Sequence, residues 1–281
     1  DGIVSVRPIW DGADLEEIEA DFPSGHFEGL TLRLYDPRSH QWNLSWANAN
    51  DGMLTKPNYG AFASGRGEFY DHESNNGKTI LVRQVYSAIT HDAYHFEQSF
   101  SADEGRTWSP NFVADLKRIA EEPRKQSVSA ANRSRDFDFN FGRWKTHVSR
   151  LNDAKKWVDY EGTSDVAPVW DGRASLLHLV VSGPAGRIDG IGLRLYNPET
   201  REWNLNWINT NDREVGGPMI GGFANGRGDF LDQEKVGGRA VLVRNNFTQI
   251  KPESSHFEQA ISDDGGKTWE TNWVMTFVRE S

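Results

Sequence analysis

Apolar and polar residues alternate with a period of two along much of the chain. Leu30, Leu32 and Leu34 share one face of a segment whose other face carries Thr31, Arg33 and Tyr35. Trp42, Leu44 and Trp46 then alternate with Asn43 and Ser45. Successive side chains of a β-strand point to opposite faces, so this periodicity predicts strands. Runs of about 5–9 residues are separated by turn pairs such as Asp36-Pro37, Asn76-Gly77, Asn197-Pro198 and Gly237-Gly238. The pattern predicts antiparallel meanders of roughly eight to ten strands, which close into barrels because closure removes exposed edges.

The pattern occurs twice. Leu32-Arg33-Leu34-Tyr35 recurs as Leu193-Arg194-Leu195-Tyr196, and Trp42-Asn43-Leu44-Ser45-Trp46 as Trp203-Asn204-Leu205-Asn206-Trp207. Leu81-Val82-Arg83 recurs as Leu242-Val243-Arg244, and His95-Phe96-Glu97-Gln98 as His256-Phe257-Glu258-Gln259, all at an offset of 161. An internal repeat sets the architecture before any local reading does. It predicts a first module over 1–119, a linker over 120–135 and a second module over 136–281. Copy two begins near Asp136 with Phe137-Asp138-Phe139-Asn140-Phe141-Gly142-Arg143-Trp144. Copy one begins at the counterpart of Glu161-Gly162 and so lacks about 25 residues, enough for two strands. Either its barrel has fewer strands or its natural start is missing.

Composition narrows the function classes. The 11 Trp, 15 Phe and 7 Tyr favour strands. A net charge of −10 with no Lys/Arg cluster argues against nucleic acid, which needs a basic surface, and against an anionic membrane. No apolar run approaches the ~18 residues that span a bilayer, and no secretory signal opens the chain. With no Cys there is no disulfide or thiolate metal site, and a cytoplasmic location is expected. No His pair has metal-ligand spacing, and neither a P-loop nor a G-x-S-x-G elbow occurs, so no metal and no cofactor are expected.

Three constellations carry candidate chemistry. Ser101-x-Asp103-x-Gly105-x-Thr107-Trp108 and Ser262-x-Asp264-x-Gly266-x-Thr268-Trp269 fit the Asp-box pattern. That pattern is a hairpin turn in which the Asp accepts backbone N–H bonds and the Trp packs beneath. Occurring once per module rather than once per blade, it reads as a turn and not as a propeller. The second set is charged strand residues, which must be paired if buried. His256 with Glu258, and their counterparts His95 and Glu97, form either a wall salt-bridge set with the arginines or an acid–base pair. The third set is a pocket or core lined by Arg194, Tyr196, Trp203, Trp207 and Arg244, mirrored by Arg33, Tyr35, Trp42, Trp46 and Arg83.

The order of motifs in copy two is F-D-F-x-x-G-x-W, W-D-G, L-R-L-Y-x-P and W-N-x-x-W, then G-R-G, L-V-R and F-E-Q-A-x-S. It is similar to an uncharacterised bacterial domain-of-unknown-function family grouped with the calycins, the lipocalin-like β-barrels. Copy two matches from Phe137 to Arg279 and copy one from Trp10 to Arg118, with Asp115 standing where copy two has Thr276. The resemblance implies two tandem calycin-like antiparallel barrels with central cavities, and no settled activity to carry over. The function expected is binding of a small apolar or aromatic metabolite, anchored by Arg33 or Arg194 if it is anionic. One alternative is a metal-independent lyase, isomerase or cyclase. There His256 and Glu258 move protons while Arg194 or Arg244 holds a carboxylate or enolate. The other is a structural tandem with one degenerate barrel. The partners expected are a small molecule and, as an open alternative, a second copy in a homodimer.

Overall fold

A computed structural model describes residues 2–23, 25–121, 134–211 and 213–280. Most of the linker expected over 120–135 lies outside the described residues. The chain divides into two compact units, Asp1–Asn48 with Leu54–Lys125, and Ala49–Met53 with Gln126–Ser281. The fold is all-β. No helix among the described residues is long and apolar enough to cross a membrane, which says nothing about strands.

The first unit is a meander of nine antiparallel strands: β1 (Gly2–Trp10), β2 (Ala13–Phe22), β3 (Gly25–Asp36), β4 (Gln41–Asn48), β5 (Asn58–Ala63), β6 (Arg66–Asn75), β7 (Lys78–Ser87), β8 (Ala93–Ser101) and β9 (Ser109–Lys117). The second repeats this order with one strand more: β10 (Gly142–Leu151), β11 (Trp157–Val169), β12 (Ala174–Gly183), β13 (Gly186–Asn197), β14 (Glu202–Asn209), β15 (Met219–Ala224), β16 (Arg227–Val236), β17 (Arg239–Lys251), β18 (Ser254–Ser262) and β19 (Glu270–Arg279).

That extra strand decides closure. β10 pairs with β11 on one side and β19 on the other, so the second unit is a closed barrel. Among the described residues the first has no strand equivalent to β10. Its β1 matches the latter part of β11, its nine strands form an open sheet, and the sheet curls into a half-barrel. The expectation of two barrels is therefore met in full only by the second module. What the first lacks is one strand and the front of another, rather than two whole strands.

The second barrel is packed with rings. Trp144, Phe137, Trp203, Phe230 and Phe277 are each 1% exposed or less and belong to one core. Its entrance segment folds inward as a 3-10 turn, Asp138–Asn140, with Phe137 inserted among the rings of Trp203, Phe223 and Phe247 at 4.9, 4.9 and 5.4 Å. Arg279 ties this plug to the end of the barrel. Its guanidinium donates to the carbonyls of Phe139, Phe141 and Pro252 and lies 4.1 Å above the Trp144 ring.

At 101–108 and 262–269 an Asp side chain closes a turn by hydrogen bonds. The Asp264 carboxylate accepts N–H bonds from Lys267 and Thr268 and O–H bonds from Ser262 and Thr268. Asp103 accepts the Thr107 N–H and the hydroxyls of Ser101 and Thr107. The Thr268 backbone and hydroxyl bonds hold the Asp264 carboxyl down at about 2, and Thr107 does the same for Asp103. Each pKa is depressed on folding, so each turn is stabilised above the ordinary carboxyl value and loses that support as pH falls towards 2. Acid titration followed by Trp fluorescence is expected to show Trp108 and Trp269 loosening in this window. Asp264→Asn should remove the transition for Trp269.

Candidate functional site

Register sorts the candidate residues by face. Along β13, Ile188, Tyr196 and the intervening even-numbered positions face the barrel core, which places Arg194 inside. On β14 the inward residues are Trp203, Leu205 and Trp207. Arg194 lies opposite Ser175 on β12 and Leu205 on β14. The equivalent row of the first unit is Asp14, Arg33 and Leu44, on the face where Leu44 packs with Phe69 and Tyr86. Tyr35 meets Trp42 at 5.4 Å, as Tyr196 meets Trp203 at 5.3 Å.

The two arginines occupy equivalent places in opposite surroundings. Arg33 donates to both Asp14 and Glu16, the latter at 3.0 Å, and these three side chains are 14–23% exposed. Burial works to lower the Arg33 pKa, but Glu16 and Asp14 outweigh it and hold the guanidinium firmly charged. Asp14 is pushed up by burial despite its pairing with Arg33. Tyr94, whose hydroxyl reaches Glu16 at 3.5 Å, and Tyr86 are also pushed up, first by burial and then by the Glu16 charge.

Arg194 has none of this. It is 3% exposed, and no carboxylate among the described residues lies within ion-pair distance. Its Nη1 donates to Asn140 Oδ1 at 2.8 Å, and its Cζ sits 4.4 Å above the Phe137 ring and 5.6 Å from that of Phe247. Burial alone pulls it down to about 9, so it remains a cation at neutral pH. Around it, the Asn140 Nδ2 and Ser175 Oγ atoms are buried without a hydrogen-bond partner. Isolated buried charge costs several kcal/mol even after relaxation, and each unmet buried polar group costs roughly 1–3 kcal/mol more. A guanidinium carries five in-plane donors. Ring faces can cover it from above, while its edge stays suited to a planar acceptor such as a carboxylate.

The remaining candidates lie elsewhere. Arg244 alternates with Val243, a core residue, and so points to the outer face, where it sits 4.5 Å above Trp269. Arg83 does the same over Trp108 at 4.5 Å and meets Glu97 at 3.6 Å. His256 and Glu258 flank the core residue Phe257 and occupy the opposite face of β18. In the first unit His95 bonds Asp115 at 2.7 Å, and Ser99 donates to Glu97. The structure thus brings Arg194, Tyr196, Trp203 and Trp207 together inside, and places the His–Glu pair apart from them. The sequence reading missed Asn140 and Ser175. For Ser175 the signal was available at the constant offset of 161, where the neighbours Asp14, Glu16, Asn58, Tyr86 and Tyr94 of Arg33 become Ser175, Leu177, Met219, Phe247 and Ser255 around Arg194, whereas Asn140 lies in the front segment of copy two and has no counterpart.

Trp207 borders the same interior. It packs edge-on to Trp273 at 5.9 Å, and Arg150 lies 5.0 Å above that second indole. Its ring packs against Gly190, where an added Cβ would stand 2.5 Å from the indole. Gly29 makes the same bed for Trp46. Gly190→Ala is expected to cost about 1–3 kcal/mol through overpacking. It should also shift Trp207 emission, checked by denaturation and fluorescence. Outside the plug, Phe139, Phe223, Asn225 and Ile250 line an open hollow of about 420 Å³. Phe223 and Phe139 touch Phe137, the ring that lies on Arg194.

No family model matches the chain. No curated protein sequence matches it. Among solved structures, it is similar to the S-type phycobiliprotein lyase CPES from Guillardia theta, at 14% identity and a TM-score of 0.37, over 52% of this chain and 90% of that one. EF1p2_mFAP2b bound to DFHBI matches 53% of this chain over its full length, with 10% identity and a TM-score of 0.31. A protein of unknown function from the DUF3598 family of Nostoc punctiforme covers 94% of both chains at 9% identity and a TM-score of 0.30.

Proposed function

We propose that the second module binds a small molecule with an apolar body and one acidic head, the head group seated at Arg194. One observation carries the reading: a guanidinium 3% exposed with no carboxylate beside it among the described residues, where the equivalent Arg33 has two. An anion supplies the missing counter-charge, and the unmet Asn140 Nδ2 and Ser175 Oγ supply two more donors to it. The walls are apolar where the first module is polar, with Leu177, Met219 and Phe247 in the core, which favours a hydrophobic or aromatic body. The first module cannot offer the same seat, because Asp14 and Glu16 already neutralise Arg33.

The test is a thermal-shift panel on the full chain, using aromatic and medium-chain carboxylates, each set beside its methyl ester. A ligand held at a hundred times its Kd adds about 2.7 kcal/mol of stability. The acids are expected to raise the melting temperature by several degrees and their esters to leave it unchanged. Equal shifts from acid and ester, or none from any acid, would sink the proposal.

A further inference from the structure

The surroundings of Arg33 leave a charge of the opposite sign. Two carboxylates, Asp14 and Glu16, share one guanidinium on the concave face of the half-barrel. The same face carries Asp71 and Glu73, two and four residues beyond the core residue Phe69 along β6, and Glu73 is pushed up by burial and then by Asp71. Around the carboxylates stand aromatic side chains: Trp42, Tyr86, Tyr94 and Phe96 pack together, with Tyr86 5.9 Å from Tyr94 and 5.0 Å from Phe96. In the same cross-strand row as Asp14 and Arg33, after Leu44, comes Asn58. It is 4% exposed and its Nδ2 has no hydrogen-bond partner. Its counterpart in the barrel is the apolar Met219.

We infer that the concave face of the first module is a second binding site, for a small flat cation carrying a hydrogen-bond acceptor. The cation completes the charge of the Asp14–Arg33–Glu16 group and lies against the aromatic walls, which attract cations through their ring faces. The acceptor meets the Asn58 amide. Glu16 is the better contact of the two carboxylates, because it already receives a phenol, Tyr94, from the aromatic side. The two modules then keep one arginine and select ligands of opposite charge by changing what surrounds it. This inference stands without the anion site of the barrel.

Isothermal titration of the full chain tests it with 1-methylnicotinamide, a flat cation with an amide carbonyl, against neutral nicotinamide. Benzamidine, a flat cation without an acceptor, serves as a second probe that tests the charge alone. One saturable site per chain is expected for the cations, at least tenfold tighter than for nicotinamide. Glu16→Gln keeps the shape and a hydrogen bond to Arg33, and should erase that preference. Glu16→Leu, the residue the barrel carries at this place, should do the same. Cations that bind no tighter than nicotinamide, a preference that survives in Glu16→Gln, or no saturable binding by either cation each overturn the inference.

Discussion

Arg194→Met is expected to make the second module more stable while it destroys anion binding. The substitution removes a cation that burial alone holds down at about 9 and that no carboxylate among the described residues neutralises. Methionine is two heavy atoms shorter than arginine, but it is flexible and apolar and is at home among Phe137, Phe247 and Met219. Replacing buried charge by well-packed apolar side chains is neutral to stabilising by about 1–4 kcal/mol. Against this stand the lost bond to Asn140 and the contact with the Phe137 face, so a net gain of about 1–2 kcal/mol is expected. For a module of this size that is an upward shift of about 2–8 °C. Hydrogen exchange read on peptides from β13 and β14 assigns the change to the barrel. A residue that destabilises its own fold is best understood as kept for a ligand.

The same substitution in the first module, Arg33→Met, should have the opposite sign. It leaves Asp14 and Glu16 partly buried, side by side and without a cation. Breaking such a group by removing one partner costs about 3–5 kcal/mol. The loss should shrink as pH falls. Asp14 has a folded pKa raised chiefly by burial, so protonating it relieves the burial cost of its charge as pH drops through that raised value. Adding Asp14→Ser and Glu16→Leu, the barrel's residues at these places, is expected to restore most of the stability. Urea denaturation of the single and triple variants across pH 4 to 7 checks both statements.

How far the fold could be read from the chain follows from what a period of two does and does not determine. Leu30 to Tyr35 and Trp42 to Trp46 read correctly as strands with Arg33 and Trp42 on opposite-parity faces from Leu32 and Asn43. The offset of 161 pairs motifs that fall on corresponding strands of two meanders, Leu32 to Tyr35 on β3 and Leu193 to Tyr196 on β13. Closure did not follow from alternation, because it depends on the pairing of β10 with β19, a partner distant in sequence. The plug was equally hidden. Phe137, Phe139 and Phe141 have strand-like spacing, yet they bracket a 3-10 turn that buries Asn140. Arg194 and Tyr196, and likewise Trp203 and Trp207, could be placed on shared faces because they sit on regular strands. His256 and Glu258 were singled out by chemistry alone, and their face is fixed by Phe257, whose burial is a tertiary fact. The exchange of Asp14 for Ser175 is plain in the sequence, but it gains meaning only once register places both opposite an arginine.

Completion of Arg194 by an anion has a direct thermodynamic signature. Isothermal titration of the best carboxylate from the panel into the wild-type chain and into Arg194→Met and Ser175→Ala tests it most directly. Loss of one partner of a buried charged pair costs about 2–5 kcal/mol, or roughly 30-fold or more in affinity. One site per chain is expected, at least 30-fold weaker in Arg194→Met and about tenfold weaker in Ser175→Ala. Wild-type affinity retained in Arg194→Met would contradict it.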